Sequence, residues 1–236
     1  MLFRSQTPAK SRRYSSLVSS FFQFLRPHRS VPKTPWTAES RWQLSISRVL
    51  ILFFGLLLFG FGEALLIVSK LGNSPWTVLA QGISKQLGIS VGVATVLIST
   101  IVLLMWIPLR EKPGFGTIAN IIVIASALDF GINYFPTPSH YPSRMFYVLL
   151  GVIAVGVGSS LYITCGLGPG PRDGWMTALH NRTGIPVGRV RFSIEALVLI
   201  VGWLLGGTVG LGTAIFALTV GYSVALSFAI VDRLVS

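Results

Sequence analysis

GFGEALLIVSKLGNSP, residues 60–75, returns 96 residues later as GVGSSLYITCGLGPGP, residues 156–171. The same offset lays GISVG at Gly88 on GIPVG at Gly184, and GFGT at Gly114 on GLGT at Gly210. No gap is needed from Gly55 to Phe130, and about one position in four is identical. Agreement over such a stretch marks a duplicated structural unit. Each copy opens on a long apolar run and then breaks at a Gly- and Pro-rich motif, LGNSPW at Leu71 and LGPGPR at Leu167.

Composition says which solvent the unit is built for. Of 236 residues, 52% are apolar and 11% charged, against about 25% charged in soluble domains. The mean hydropathy is +0.70. Six stretches, 49–68, 91–108, 116–133, 145–165, 186–205 and 213–231, are each near the length that crosses a bilayer as a helix. A chain in hydrocarbon must satisfy its own backbone polar groups, so helix is the expected form. The sequence therefore predicts an all-α, polytopic membrane protein with membrane domain 44–236, preceded by a basic, disordered cytoplasmic tail over 1–43. One repeat covers about 49–135 and the other about 145–232. Three spans per unit is an odd number, so the second unit enters the membrane from the opposite face, as an inverted repeat.

Charge agrees with that orientation. Lys and Arg number 19 against 7 Asp and Glu, a net +12. With the N-terminus in the cytoplasm, sixteen basic residues fall inside. Only Lys70, Lys85 and Arg144 fall outside. Both termini are thus expected in the cytoplasm and the chain in the cell (inner, plasma) membrane. The basic residues sit in the tail and short loops with no nucleic-acid motif, so the expected partner is the lipid bilayer and not nucleic acid. The acid-poor leader also has the look of a transit peptide, and Phe21, Phe22 and Phe24 could touch the membrane surface. Cys165 stands alone and reads as a small packing residue. The histidines have no metal spacing. Five tryptophans, Trp42, Trp76, Trp106, Trp175 and Trp203, fall near span ends and read as interfacial anchors.

After each break a helix of about 13 residues is expected, too short at roughly 20 Å to span. Ser74 can N-cap the first, with Pro75 at its first position and Gly88 closing it. Pro171 opens the second, Asp173 sits in its first turn, and Gly184 closes it. Such a helix either lies flat at the interface or dips inward, and the dipping form can present its N-terminus to a substrate.

The intramembrane charges follow. Glu63 lies deep in the first span, either as a substrate or proton site or as a hydrogen-bonded packing acid. Asp129, towards the outer end of the third span, can reach the interface. Arg191 and Glu195 share a helix face four residues apart, in the weaker order for a pair. With Arg172 and Asp173 they form a candidate cluster at the cytoplasmic mouth. It is either an anion site, since Arg forks suit carboxylate or phosphate, or a salt-bridge latch.

LGPGPRDGWMTAL, TGIPVGRVR, GWLLGG and GLGTAIFAL resemble the YczE/YyaS/YitT-like family of bacterial integral membrane proteins, over residues 44–234. LGNSPW is similar to the family's first-unit motif, with Thr77 where the resemblance implies an acid. The resemblance implies a six-helix inner-membrane protein. The residues themselves favour a transporter- or permease-like protein for a small solute, an anionic one among the candidates. The substrate or coupling candidates are Glu63, Pro75, Pro171, Arg172, Asp173, Arg191, Glu195 and Asp129. The alternative is an accessory or regulatory membrane protein acting through a partner. No catalytic motif, metal set or cofactor box is present in the sequence, so an enzyme is not expected.

Overall fold

The computed structural model describes residues 31–235. These contain eight helices and no strand: α1 Ile46–Ser69, α2 Pro75–Leu87, α3 Val91–Leu104, α4 Phe115–Tyr134, α5 Tyr141–Thr164, α6 Pro171–Thr183, α7 Val187–Leu204 and α8 Leu211–Val235. The aromatic island at Phe21, Phe22 and Phe24, and the leader around it, lie outside the described residues.

The offset of 96 recurs throughout the backbone. Helices beginning at Pro75, Val91 and Phe115 have counterparts beginning at Pro171, Val187 and Leu211. Among the described residues, positive φ falls in four pairs at that spacing: Lys70 with Gly166, Gly72 with Gly168, Gly88 with Gly184, and Arg110 with Gly206. Gly72 (φ 115°) and Gly168 (φ 111°) need to be glycine. That region is closed to L side chains, and a Cβ on either would press on the facing Thr213 or Thr117 hydroxyl.

Contacts between the halves are reciprocal. The Gly116 amide donates to Leu167 O at 2.8 Å, and the Gly212 amide donates to Leu71 O at 2.8 Å. The central crossing is α1 against α5, antiparallel, with Gly55 facing Gly158 and Gly62 facing Gly151. All four glycines lie at backbone-to-backbone approach, the close packing that small residues permit. Three apolar cores surround the crossing. One joins α2, α3, α6 and α7, with Ala80 and Met176, and Ile98 and Ile194, as equivalent positions. The other two correspond to each other: Leu52, Leu56, Ile124 and Tyr162 in one match Val148, Val152, Val220 and Leu66 in the other.

The expected six spans divide unevenly. Four helices, α1, α4, α5 and α8, are long and apolar enough to cross a membrane, and a fifth if α2 and α3, bent by 114°, count as one. α3 has only 14 residues, about 21 Å. α7 carries Arg189, Arg191 and Glu195. The N-terminal half of α2 is buried and that of α6 buried or half-buried, while the C-terminal ends of both are exposed.

Three local readings are corrected. Trp76 (6% exposed) and Trp106 (2%) are core residues, not interfacial anchors. Ser74 is the N-cap of α2 but makes no capping bond, because its hydroxyl turns to Glu63. Residues 34–41, placed by the sequence in the tail, lie against the helices. The Ala38 amide donates to Cys165 O, and the Phe115 amide to Arg41 O. The Trp36 indole donates to Thr164 Oγ1 at 3.1 Å.

Candidate functional site

The two short helices aim their N-termini at one another in the middle of the protein. Each follows a break rich in Gly and Pro, and its first turn has a proline near its start and no side-chain capping bond. At equivalent positions, one after each proline, stand Trp76 and Arg172. The Arg172 guanidinium lies 5.0 Å from the centroid of the Trp76 ring, a cation–π distance. Around this pair is a cavity of about 120 Å³, room for several waters or a small solute. Its polar wall is Glu63, Ser74, Asn120, Ser159, Tyr162, Arg172, Asp173, Arg191 and Glu195. Phe59, Ile124, Val155, Phe216, Val220 and Val224 supply apolar surface.

Each acid has a place. Glu63, 3% exposed, accepts from Ser74 Oγ and Thr77 Oγ1, both at 2.8 Å onto Oε2. The helix α2 thereby presents two hydroxyls, and the positive end of its dipole, to a buried carboxylate. Asp173 accepts from the Tyr162 hydroxyl at 2.7 Å. Thr77 and Asp173 are equivalent positions; where the second half has the Asp173 carboxylate, the first half has a hydroxyl that donates to Glu63 of α1. Arg191 Nε donates to Glu195 Oε1 at 2.8 Å within α7. Among the described residues no ion pair within 4 Å joins Arg172 or Asp173 to α7, although Asp173 is close enough to act on the Arg191 charge, and Glu195 on that of Arg172.

Of the expected site residues, Glu63, Pro75, Arg172, Asp173, Arg191 and Glu195 all line this one cavity. Pro171 is buried beside it, its carbonyl accepting from the Trp106 indole at 2.9 Å. Asp129 is elsewhere. Its Oδ1 accepts from the Gly92 amide at 2.6 Å, and its Oδ2 from the Ser90 hydroxyl, so it caps the start of α3 rather than merely reaching the interface.

Sequence reasoning does not single out Asn120, Ser159 or Tyr162 for the wall, nor Trp76. A signal for three of them is in the repeat: Asn120 pairs with Phe216, Tyr162 with Leu66, and Ser159 with Glu63. A polar group in one copy stands opposite an apolar or differently charged group in the other. Such positions are where two copies of one fold have been given different work.

The family model described as "Family of unknown function (DUF6198)" matches residues 46–228. An "Uncharacterized protein" of Haemophilus influenzae is 43% identical over 206 residues, covering 87% of this chain and 94% of its own. The "Uncharacterized membrane protein YczE" of Bacillus subtilis is 33% identical over 171 residues, 72% of this chain and 80% of its own. The "Uncharacterized protein YyaS" of the same species is 26% identical over 183 residues, 76% and 91% respectively. No solved structure matches.

The chain belongs to the DUF6198 family, with YczE and YyaS among its relatives. With its long apolar helices it is an integral membrane protein.

Proposed function

We propose that this member of the family is a permease-like protein that binds a small solute between two inverted three-helix units. In this reading α1, α3 and α4 cross the membrane in one unit, and α5, α7 and α8 in the other. α2 and α6 are half-helices dipping inward from opposite faces. Both termini lie in the cytoplasm and the membrane is the plasma membrane, as the loop charges favour.

One observation carries the proposal. The cavity wall is made of equivalent positions from the two halves, Glu63 with Ser159, Trp76 with Arg172, and Ile124 with Val220, at the point where the short helices converge. Convergent half-helix N-termini between inverted repeats are how many transporters hold a substrate. The reciprocal Gly116–Leu167 and Gly212–Leu71 bonds support the two-fold relation. In this reading the charged groups lie away from the membrane surface, where they are costly unless they serve a hydrated or ligand-filled space.

The test is access by water. Ser159, 7% exposed, lines the cavity, and cysteine replaces serine with little change in volume. In a Cys165→Ser background, Ser159→Cys is expected to react with a small charged methanethiosulfonate added from water. Failure to react in folded protein would mean a sealed bundle. The accessory reading, in which the protein acts through a membrane partner, would then replace transport.

A further inference from the structure

The two halves differ in one respect that bears on what enters the cavity. In the first half, α3 and α4 are pressed together. A Cβ on Gly92 would strike the Asp129 carboxylate and Ala125 O. In the second half the equivalent helices, α7 and α8, barely touch. Gly188 and Gly221, the counterparts of Gly92 and Ala125, have nothing within 4 Å of where a Cβ would sit. Ala225 stands where the closing carboxylate would be. The cavity wall includes Arg191 and Glu195 from α7 and Phe216, Val220 and Val224 from α8, so it borders this gap on both sides. Exposed residues of these two helices include large apolar groups, Phe192, Leu197 and Leu218 among them, as suits a face in lipid.

Inside, one guanidinium has acids around it but no direct hydrogen bond to any of them. The Arg172 guanidinium makes no hydrogen bond and no ion pair within 4 Å among the described residues; it lies over the Trp76 ring, with Glu63, Asp173 and Glu195 close enough to act on its charge. A guanidinium carries five N–H donors, and Arg172 lines the cavity. Glu63, Asp173 and Glu195 already have donors of their own. They also make the wall unwelcoming to a doubly charged anion, so a single carboxylate suits Arg172 better than a phosphate dianion.

We infer that the ligand is a carboxylate amphiphile that enters sideways from the bilayer through the gap between α7 and α8, with its acid group on Arg172 and its apolar tail along Phe216, Val220 and Val224. This inference rests on the permease-like reading and adds the substrate class and its route.

The experiment uses the full chain in phosphatidylcholine nanodiscs with palmitate bearing a photoactivatable diazirine on its tail. Labelling is expected to concentrate near Val220 and Val224 and to be chased by plain palmitate, but not by acetate at the same concentration. Arg172→Gln is expected to reduce the chaseable label about tenfold or more, the scale of one lost charge-assisted hydrogen bond. The wild type alone can overturn the inference: label that palmitate does not chase, spread over every lipid-facing helix, would do so. Acetate chasing as well as palmitate would mean a site for the acid group only, which removes the amphiphile and leaves the small-solute reading standing. Diffuse label together with an unreactive Ser159→Cys would remove both.

Discussion

Trp106→Ala is expected to destabilise the protein by about 3–5 kcal/mol, the range for emptying a buried tryptophan site. Trp106 is 2% exposed and fills the space over Gly174, where no side chain could stand beside it. Its indole also fixes the first turn of α6 through the Pro171 carbonyl. The other half solves the same packing problem in reverse. There the counterpart of Trp106 is Gly202 and the counterpart of Gly174 is Val78, with Gly202 against the Val78 and Leu79 backbone. Gly174→Val alone should therefore clash severely with the Trp106 ring. Combined with Trp106→Gly it copies the Val78–Gly202 arrangement, and the double variant is expected to melt above Gly174→Val. Thermal melting of the purified protein in one detergent, over the full mutant cycle, gives the coupling. Additive losses would mean that the two contacts are not equivalents.

Gly158→Leu is also expected to be strongly damaging, because nothing at that position can yield. A Cβ there would lie 2.5 Å from Gly55 O and 2.7 Å from the Phe59 amide nitrogen. Both are backbone, so α1 and α5 must move apart along the central crossing. Overpacking commonly costs about 1–3 kcal/mol, and a clash with two rigid helices falls at the upper end or beyond. Gly62→Leu should cost a similar amount, since its Cβ would meet Gly151 O at 2.8 Å and the Val155 amide nitrogen at 2.9 Å. Gly221→Leu, on a helix with open space around it, is the control and should fold normally. A folded Gly158→Leu with wild-type melting would mean that α1 and α5 do not cross at these glycines.

Much of the helical plan is legible in the sequence, because a duplicated unit repeats its turns as well as its apolar runs. The pairs Gly72 with Gly168 and Gly88 with Gly184 stand at the offset of 96, and in the structure each pair shares a positive φ. Pro75 and Pro171 likewise mark the first residues of α2 and α6. Hydropathy cannot show which face of a span is covered. Trp76 and Trp106 sit near the ends of apolar runs and so read as anchors, yet both point into the core. The same limit hides the gap between α7 and α8, since Gly92 and Gly188 are alike in sequence and differ only in what faces them.

The site is legible in its charged members and obscure in their partners. Glu63 stands out because an acid deep in an apolar run must be paired, protonated or facing water, and Arg191 with Glu195 stands out by spacing. The hydroxyls that hold Glu63 lie 11 and 14 residues away, across the helix break, a distance that no helical periodicity connects. Ser74 therefore reads as an ordinary N-cap. Tyr162 is hidden for a related reason: its ring is one apolar residue among many, and only its hydroxyl, reaching Asp173, shows its place on the cavity wall.

The central claim is that the two units sit in the membrane in opposite senses, and sidedness tests it most directly. Lys85 and Asn181 occupy the same position near the exposed ends of α2 and α6, 96 residues apart, and both side chains are exposed. In a Cys165→Ser background, Lys85→Cys and Asn181→Cys would each be treated in intact cells with a membrane-impermeant maleimide, before and after permeabilisation. The expected result is that position 85 labels from outside, while position 181 labels only once the membrane is opened. Labelling of both positions from the same side would contradict the inverted arrangement, and with it the cavity as a meeting point of two opposed half-helices.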